Sequence, residues 1–482
     1  MSNLESIILD TDSYKVSMPH QYPAGTEYVY SYISSRGGKY TVTEMAGIQR
    51  FAKRLAKIRI TKEQVDYAEK IWTLHGEPFY RAGWDYIVDS LGGKLPVRIK
   101  AVKEGLIIPT KNVLCTIENT DPKCWWLTTH LETAALRAIW YPTTVGTTSW
   151  HIKQEILSYL EKSGTPADIN FKLHDFGARG VSSEESARVG GMAHLYNFMG
   201  TDTMSAVLEL MDTYGCDVSG FSIPAAEHST ITSWSREGEA DAYRNMVKQF
   251  GKTGSILAVV SDSYDIFKAC EMWGTELKDD VIASGATVVI RPDSGDPVVV
   301  VPRMLRILGD TFGFTTNAKG YKVLNNVRII WGDGINSVSL SSILRCVVDV
   351  AGWSADNLAF GMGGGLLQQC DRDTLKFAMK CSSVGVRQWI DQDHASWGDE
   401  VNGTTVVWCD VFKDPVTDQG KASLKGRVTL WVSGGEYETS VDRPTRWTDK
   451  GMGWEEALVT YYEDGELMFT QTIEEIRANT MV

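Results

Sequence analysis

Acids, a histidine and glycine clusters recur along the middle of this chain, each directly after a short apolar run. His174-Asp175-Phe176-Gly177-Ala178-Arg179 follows Ile169-Asn170-Phe171, Glu227-His228 follows Phe221-Ser222-Ile223, and Ser261-Asp262 follows Ile256-Leu257-Ala258-Val259-Val260. Arg291-Pro292-Asp293-Ser294-Gly295 then follows Val288-Val289-Ile290, Gly332-Asp333-Gly334 follows Val327-Arg328-Ile329-Ile330, and Gly361-Met362-Gly363-Gly364-Gly365 follows Leu358-Ala359-Phe360. Arg179, with serine hydroxyls and exposed N–H groups at a helix start, suits a phosphate. Phe176 suits the face of a flat heteroaromatic ring. His228, with an acid beside it, can act as a base or as a nucleophile toward phosphorus. Arg291 and Asp293, two residues apart at a strand end, point to one face and suit a ribose diol or a Mg-bound pyrophosphate. Asp333 between its glycines can accept from two hydroxyls, and the 361–365 glycines form a phosphate cradle. Taken singly, each cluster is also what an ordinary turn or cap requires.

These side chains share a site only if the runs before them are parallel strands. Helical spacing between the runs predicts helices over 183–196, 240–250, 264–273, 302–312 and 339–351. Strands alternating with helices of that length indicate βαβ units, and in an α/β barrel every strand delivers its C-terminal end to one face. Outside this region the pattern changes. Residues 44–84 and 127–140 read as helical, with β-like stretches at 95–102 and 113–117 between them. Beyond about residue 380 short strands follow, such as 404–408 and 427–431. The expected fold class is therefore α/β: an irregular (β/α) barrel over 151–380, inserted between segments 1–150 and 381–482 that together form a second, α+β domain.

The whole chain narrows the function classes. Its 482 residues, 43% of them apolar, can bury a sizeable core, and 48 basic against 61 acidic residues leave a net charge of −13. That balance argues against a nucleic-acid surface. The eight cysteines show no C-x-x-C spacing, so reduced thiols are expected. The N-terminal residues lack a signal-peptide pattern and no apolar stretch approaches a membrane span, so a soluble, cytoplasmic protein is expected. The glycine cluster at 361–365 is not a P-loop, which needs GxxxxGK followed by Ser or Thr, and it does not open a first βαβ unit as a dinucleotide fingerprint does.

Taken in order, the motifs resemble the nicotinamide phosphoribosyltransferases. The matching strings are DSYK from Asp12, HDFGARGVSS from His174, GTDT from Gly200, IPAAEHSTIT from Ile223 and VVSDSYDI from Val259. They continue with IRPDSGDP from Ile290, GDG from Gly332, FGMGGGLLQ from Phe360 and VFKDPV from Val411, so the likeness covers nearly the whole chain. The resemblance implies a type II phosphoribosyltransferase, a homodimer that joins nicotinamide to 5-phosphoribosyl pyrophosphate (PRPP) at sites shared between subunits. It implies that Phe176 and a partner copy's Tyr14 sandwich the pyridine ring and that Asp202, with Ser222 nearby, meets the carboxamide. Arg179, Asp262, Arg291, Asp293, Gly332, Asp333, Gly363 and Gly364 would hold ribose, phosphates and Mg2+, with Asp262 and Asp293 nearest the metal. Asp12 would join the substrate site, and Arg36, Arg372, Lys380 and Lys413 would reach phosphates across the interface. His228 would be the histidine phosphorylated by ATP. Two positions depart from the family pattern: Ala178 stands where a tyrosine is usual, and Ala258 where a small polar residue is.

The implied mechanism follows from charge. Loss of pyrophosphate leaves an oxocarbenium-like ribose, and the neutral ring nitrogen attacks without needing a base, so positioning and electrostatics would dominate. A carboxylate at 202 attracts an amide donor and repels a carboxylate, which favours nicotinamide over the nicotinate used by a related phosphoribosyltransferase. A phosphosugar isomerase or aldolase built on a barrel is the alternative of another class, but no strand end supplies a Schiff-base lysine.

Overall fold

The computed structural model describes residues 6–389, 403–417, 421–441 and 453–481; residues 1–5, read above for a leader, lie outside them. The chain divides into two compact units, one of residues 1–147 with 371–482 and one of residues 148–370. The first division falls inside the helix Glu132–Ser163. The second falls ahead of the strand Phe377–Trp389, which a boundary drawn at 380 would cut. That strand belongs with the N-terminal segment because it pairs antiparallel along Thr26–Ser35, from Thr26 opposite Val386 to Ser35 opposite Phe377.

The first unit is built on a seven-stranded antiparallel sheet, in the order Thr404–Asp410, Phe377–Trp389, Thr26–Ser35, Val113–Asn119, Val97–Ala101, Val459–Glu463 and Glu466–Leu467. Helices Ile48–Lys57, Lys62–His75 and Arg81–Leu91 supply the helical part expected from 44–84. Phe51, Trp72, Trp84, Trp126, Phe377, Tyr461 and Tyr462 are buried in its core. The α+β domain therefore comes from both ends of the chain.

The second unit carries six parallel strands in the order Gly200–Thr201, Leu173–Asp175, Leu358–Met362, Val327–Trp331, Thr287–Arg291 and Ile256–Val260. Helices Glu184–His194, Met204–Tyr214, Glu239–Phe250, Ile266–Gly274, Pro297–Phe312 and Ser337–Leu344 connect them. The two edge strands are joined by an irregular segment, 221–226. Phe221 bridges in parallel to Gly200 and Ala225 to Ala258, so the sheet curls and closes as an irregular barrel. Inside it Ala258, Val289 and Ile330 pack with Phe176, Ile223 and Ala359.

Several local expectations change. Residues 169–171 form no strand, because Pro166 opens a 3-10 helix over Pro166–Phe171 and the strand starts after Lys172, at Leu173. Phe221-Ser222-Ile223 is reduced to one isolated bridge, at Phe221, since Pro224 has no N–H to extend a ladder. The helix expected from Pro302 begins at Pro297, capped by Asp296, with Pro302 inside it. The helix expected over 339–351 is α-helical only over Ser337–Leu344 and continues as a π turn, Arg345–Val350. The short strand Gly200–Thr201 is additional.

His194 is completely buried, with Ser149 Oγ 2.9 Å from Nδ1 and the Gly200 carbonyl 3.2 Å from Nε2. Burial lowers its pKa to about 3 from an ordinary 6.5. The unfolded chain therefore takes up a proton that the native interior refuses. The stability this group contributes is full above about pH 6.5 and is lost as pH falls toward the folded value. Exchange for a non-titrating side chain, His194→Gln, should make the fall of Tm on acidification shallower than in the parent. Equal pH slopes for the two proteins would contradict this.

Candidate functional site

Because the strands are parallel, their C-terminal ends gather the side chains singled out above. Asp175 ends its strand and pairs in register with Met362 on one side and Thr201 on the other. The next residue, Phe176, donates its N–H to the Met362 carbonyl at 3.0 Å. Its ring lies directly over Gly361, where a built Cβ would come within 1.9 Å of the ring, and faces Gly332, where it would come within 3.4 Å. Glycine at 361 is thus required by close approach, not by backbone conformation.

Asp202 follows the Gly200–Thr201 strand, and its N–H donates to the Asp175 carbonyl at 3.0 Å. The Ser222 hydroxyl, on the irregular segment, donates to the Asp202 carboxylate. The Asp175 side chain turns inward: it is fully buried, and Oδ1 accepts the Gly177 N–H at 2.7 Å. Burial pushes its pKa up to about 6, Asp202 adds to the rise, and the Gly177 N–H with the Thr203 and Thr201 hydroxyls opposes it. Beside it, burial also lowers the pKa of His174, whose ring centroid is 6.1 Å from that of Phe176.

Across the rim Asp262 ties its own strand end to that of Thr287–Arg291 and to the helix that follows the closing segment. His228 Nε2 is 3.0 Å from its Oδ1, and Oδ2 accepts from the Asp293 N–H at 2.9 Å and the Ser294 hydroxyl at 2.6 Å. His228 opens the short helix His228–Thr232 and its side chain is 45% exposed, against 4% for Asp262. An acid bonded to one imidazole nitrogen orients the ring, the arrangement that prepares histidine for proton or phosphoryl transfer. Asp293 stands near Gly332, with Oδ1 3.8 Å from a Cβ built there. Arg291 Nε is buried without a protein hydrogen-bond partner, a donor suited to an anion. Arg179 is exposed on the 3-10 turn Ala178–Gly180, and the adjacent Gly180 approaches Gly364, whose N is 3.7 Å from a Cβ built on Gly180. Asp333 is exposed after the Val327–Trp331 strand, and Gly363 caps a single helical turn, Gly364–Leu367.

The remaining candidates belong to the first unit. Asp12 accepts from Thr133 Oγ1 at 2.7 Å while its N–H donates to the same oxygen at 3.1 Å. Lys15 is buried and paired with Glu132 at 2.6 Å. Between these anchors Tyr14 stays 56% exposed, with the Lys15 ammonium 5.4 Å from its ring. Burial lowers the Lys380 pKa; Glu132 opposes the shift, and Arg36, Lys413 and Lys15 add to it, so these cations form one positive cluster. Arg36 Nε donates to the Lys376 carbonyl at 3.3 Å. Arg372 is exposed on the turn Arg372–Thr374, 3.5 Å from Asp373.

A model of the nicotinate phosphoribosyltransferase (NAPRTase) family matches residues 171–444, and one of the nicotinamide phosphoribosyltransferase N-terminal domain matches 6–99. The nicotinamide phosphoribosyltransferase of Xanthomonas campestris is 51% identical over 486 residues, covering 99% of both chains. The chain belongs to the nicotinate phosphoribosyltransferase family. A more distant relative in the family, the nicotinamide phosphoribosyltransferase of Acinetobacter baylyi, is 30% identical, covering 97% of this chain and 95% of its own. The family fold recurs in two solved structures. The nicotinate-nucleotide pyrophosphorylase of Pyrococcus furiosus has a TM-score of 0.61 at 15% identity, covering 100% and 96% of the two chains. Human nicotinic acid phosphoribosyltransferase has 0.56 at 16% identity, covering 98% and 93%.

Sequence reasoning missed Asp175, Ser294, Lys15, Glu132 and Thr133. Asp175 and Ser294 lay inside quoted strings, and a carboxylate two residues before a strand-end glycine was the available signal for the first. Nothing local marked Glu132 and Thr133, which act on residues about 120 positions earlier. Gly361→Ala should drive the Phe176 ring from its seat and destabilise the protein by about 1–3 kcal/mol. Thermal unfolding measures this, and an unchanged Tm would show that the ring has room to move.

Proposed function

We propose that the chain is a nicotinamide phosphoribosyltransferase that transfers the 5-phosphoribosyl group of PRPP to nicotinamide, giving nicotinamide mononucleotide and pyrophosphate. The observation that carries this reading is the seat formed by Phe176 over Gly361 beside the Asp202–Ser222 pair, with Arg291 and Asp293 at the end of the strand Thr287–Arg291. An aromatic face next to a hydrogen-bonded carboxylate suits a ring bearing an amide, and the 51% identical relative carries that activity in its name. Asp202 accepts from the carboxamide, while the Arg291 guanidinium and the glycine-lined strand ends meet the phosphates. Buried cationic donors stabilise the departing charge more effectively than water does.

Mg2+ would neutralise the pyrophosphate. Both Asp262 oxygens are engaged by His228, the Asp293 N–H and Ser294, which makes Asp293 the carboxylate at the rim for the ion. Among the described residues no group of three or more His, Cys, Asp and Glu could hold a metal alone. That suits an ion arriving on the pyrophosphate, since Mg2+ commonly binds through one or two carboxylates and substrate phosphates.

The proposal extends to ATP as a coupling co-substrate, with His228 as the phosphorylated group: Asp262 holds Nε2 and leaves Nδ1 for the phosphoryl group. It extends also to a cytoplasmic homodimer in which a partner copy brings Tyr14, Arg36, Arg372, Lys380 and Lys413. No described helix is long and apolar enough to cross a membrane.

Incubation with nicotinamide, PRPP and Mg2+ should yield the mononucleotide; turnover of nicotinic acid in its place would overturn the amide assignment. Asp202→Ser should weaken nicotinamide use and shift preference toward nicotinic acid, measured as the ratio of kcat/KM values, and an unchanged ratio would remove Asp202 from that role. His228→Ala should abolish the ATP-driven gain in product while leaving transfer itself measurable. Persistence of the gain would place the phosphoryl acceptor elsewhere.

A further inference from the structure

We infer that Asp175 is a positioning residue for base recognition, holding Phe176 and Asp202 in register from beneath the site. The inference rests on the reading of that site as the one that takes the nicotinamide ring. Three bonds fix the arrangement. The Asp175 carboxylate accepts the Gly177 N–H at 2.7 Å and so closes the turn that carries Phe176. The Asp175 carbonyl accepts the Asp202 N–H at 3.0 Å and so sets where the amide-reading carboxylate begins. The Phe176 N–H, between them, is tied to the Met362 carbonyl at 3.0 Å, above the Gly361 floor.

The burial of this acid makes a passive filler role a poor account. Asp175 has no exposed surface, and its Oδ2 lies outside hydrogen-bond geometry with any protein group, the nearby Thr201 and Thr203 hydroxyls included. An apolar side chain would fill the space without that penalty. The arrangement makes sense where an acceptor is needed at one exact point, and Oδ1 supplies it to a turn two residues ahead. Gly191 on the helix Glu184–His194 leaves the room: a Cβ there would come within 2.9 Å of Oδ2. Helix and strand are thus matched around this one carboxylate, which lies behind the substrate surface.

A residue that aligns only the ring and amide elements should affect one substrate. Asp175→Ala should raise the KM for nicotinamide by about tenfold, the scale of one lost bond to a buried charged group, and leave the KM for PRPP within about twofold. Asp175→Asn keeps the Oδ1 acceptor and should restore the nicotinamide KM to near the parent value. If the alanine variant does not fold, Asp175→Val, which fills more of the space and carries no acceptor for Gly177, takes its place with the same expectation. Equal rises in both KM values, an unchanged nicotinamide KM in the alanine or valine variant, or an asparagine variant as impaired as alanine would each overturn the inference. A parent protein that makes no mononucleotide would fail the functional reading instead, so the two failures are separable.

Discussion

The Asp262 carboxylate is the contact on which the far half of the rim depends. It accepts from the backbone of one strand-end loop through Asp293 and from that loop's side chain through Ser294, and it faces His228 on another. A carboxylate that is 4% exposed needs such partners, because a buried charge without them is costly. In satisfying itself it aligns Asp293 toward Gly332 and holds one edge of the imidazole. The opposite half is organised by backbone pairing, with Asp175, Met362 and Thr201 in register and the Phe176 ring laid across glycines. One half of the rim is therefore set by charge and the other by register and close approach.

The two halves suit different parts of one substrate pair. An aromatic ring needs a flat floor and a fixed acceptor at its edge, which strand register and Ser222 can supply. Phosphates and a ribose need cationic and carboxylate groups whose directions are fixed, which a shared carboxylate can supply. The catalytic task proposed here asks for little proton transfer, and the site is accordingly rich in positioning contacts.

Much of this was legible in the sequence, because strand-then-polar-cluster alternation is a local pattern. The strands at 256–260, 287–291, 327–331 and 358–362 lie where short apolar runs place them, and their C-terminal clusters converge as parallel pairing requires. What was not legible depended on proline or on distance. Pro166 turned an apolar triplet into a 3-10 helix, and Pro224 removed the N–H that a central strand would need. The clamp on Tyr14 joins Asp12 and Lys15 to Thr133 and Glu132, a pairing invisible to any local window. The Asp262 hub was visible as a residue but not as a hub. The resemblance implied a place near the metal for it, and its oxygens face His228, a backbone N–H and a hydroxyl.

The closure of the barrel at 221–226 carries a consequence for how such a site can diversify. Five strand pairings make up the sheet, whereas the closing segment is held by four backbone bonds, at Thr201–Phe221, Phe221–Met199, Ala226–Ala258 and Ala258–Pro224. Ser222, which bonds the proposed amide reader, lies within this seam, and His228 comes directly after it. The residues proposed for substrate choice and for energy coupling thus sit where the scaffold asks least of the chain. Exchange there leaves every strand pairing intact, so selectivity and coupling can drift between descendants of one barrel without the barrel being rebuilt.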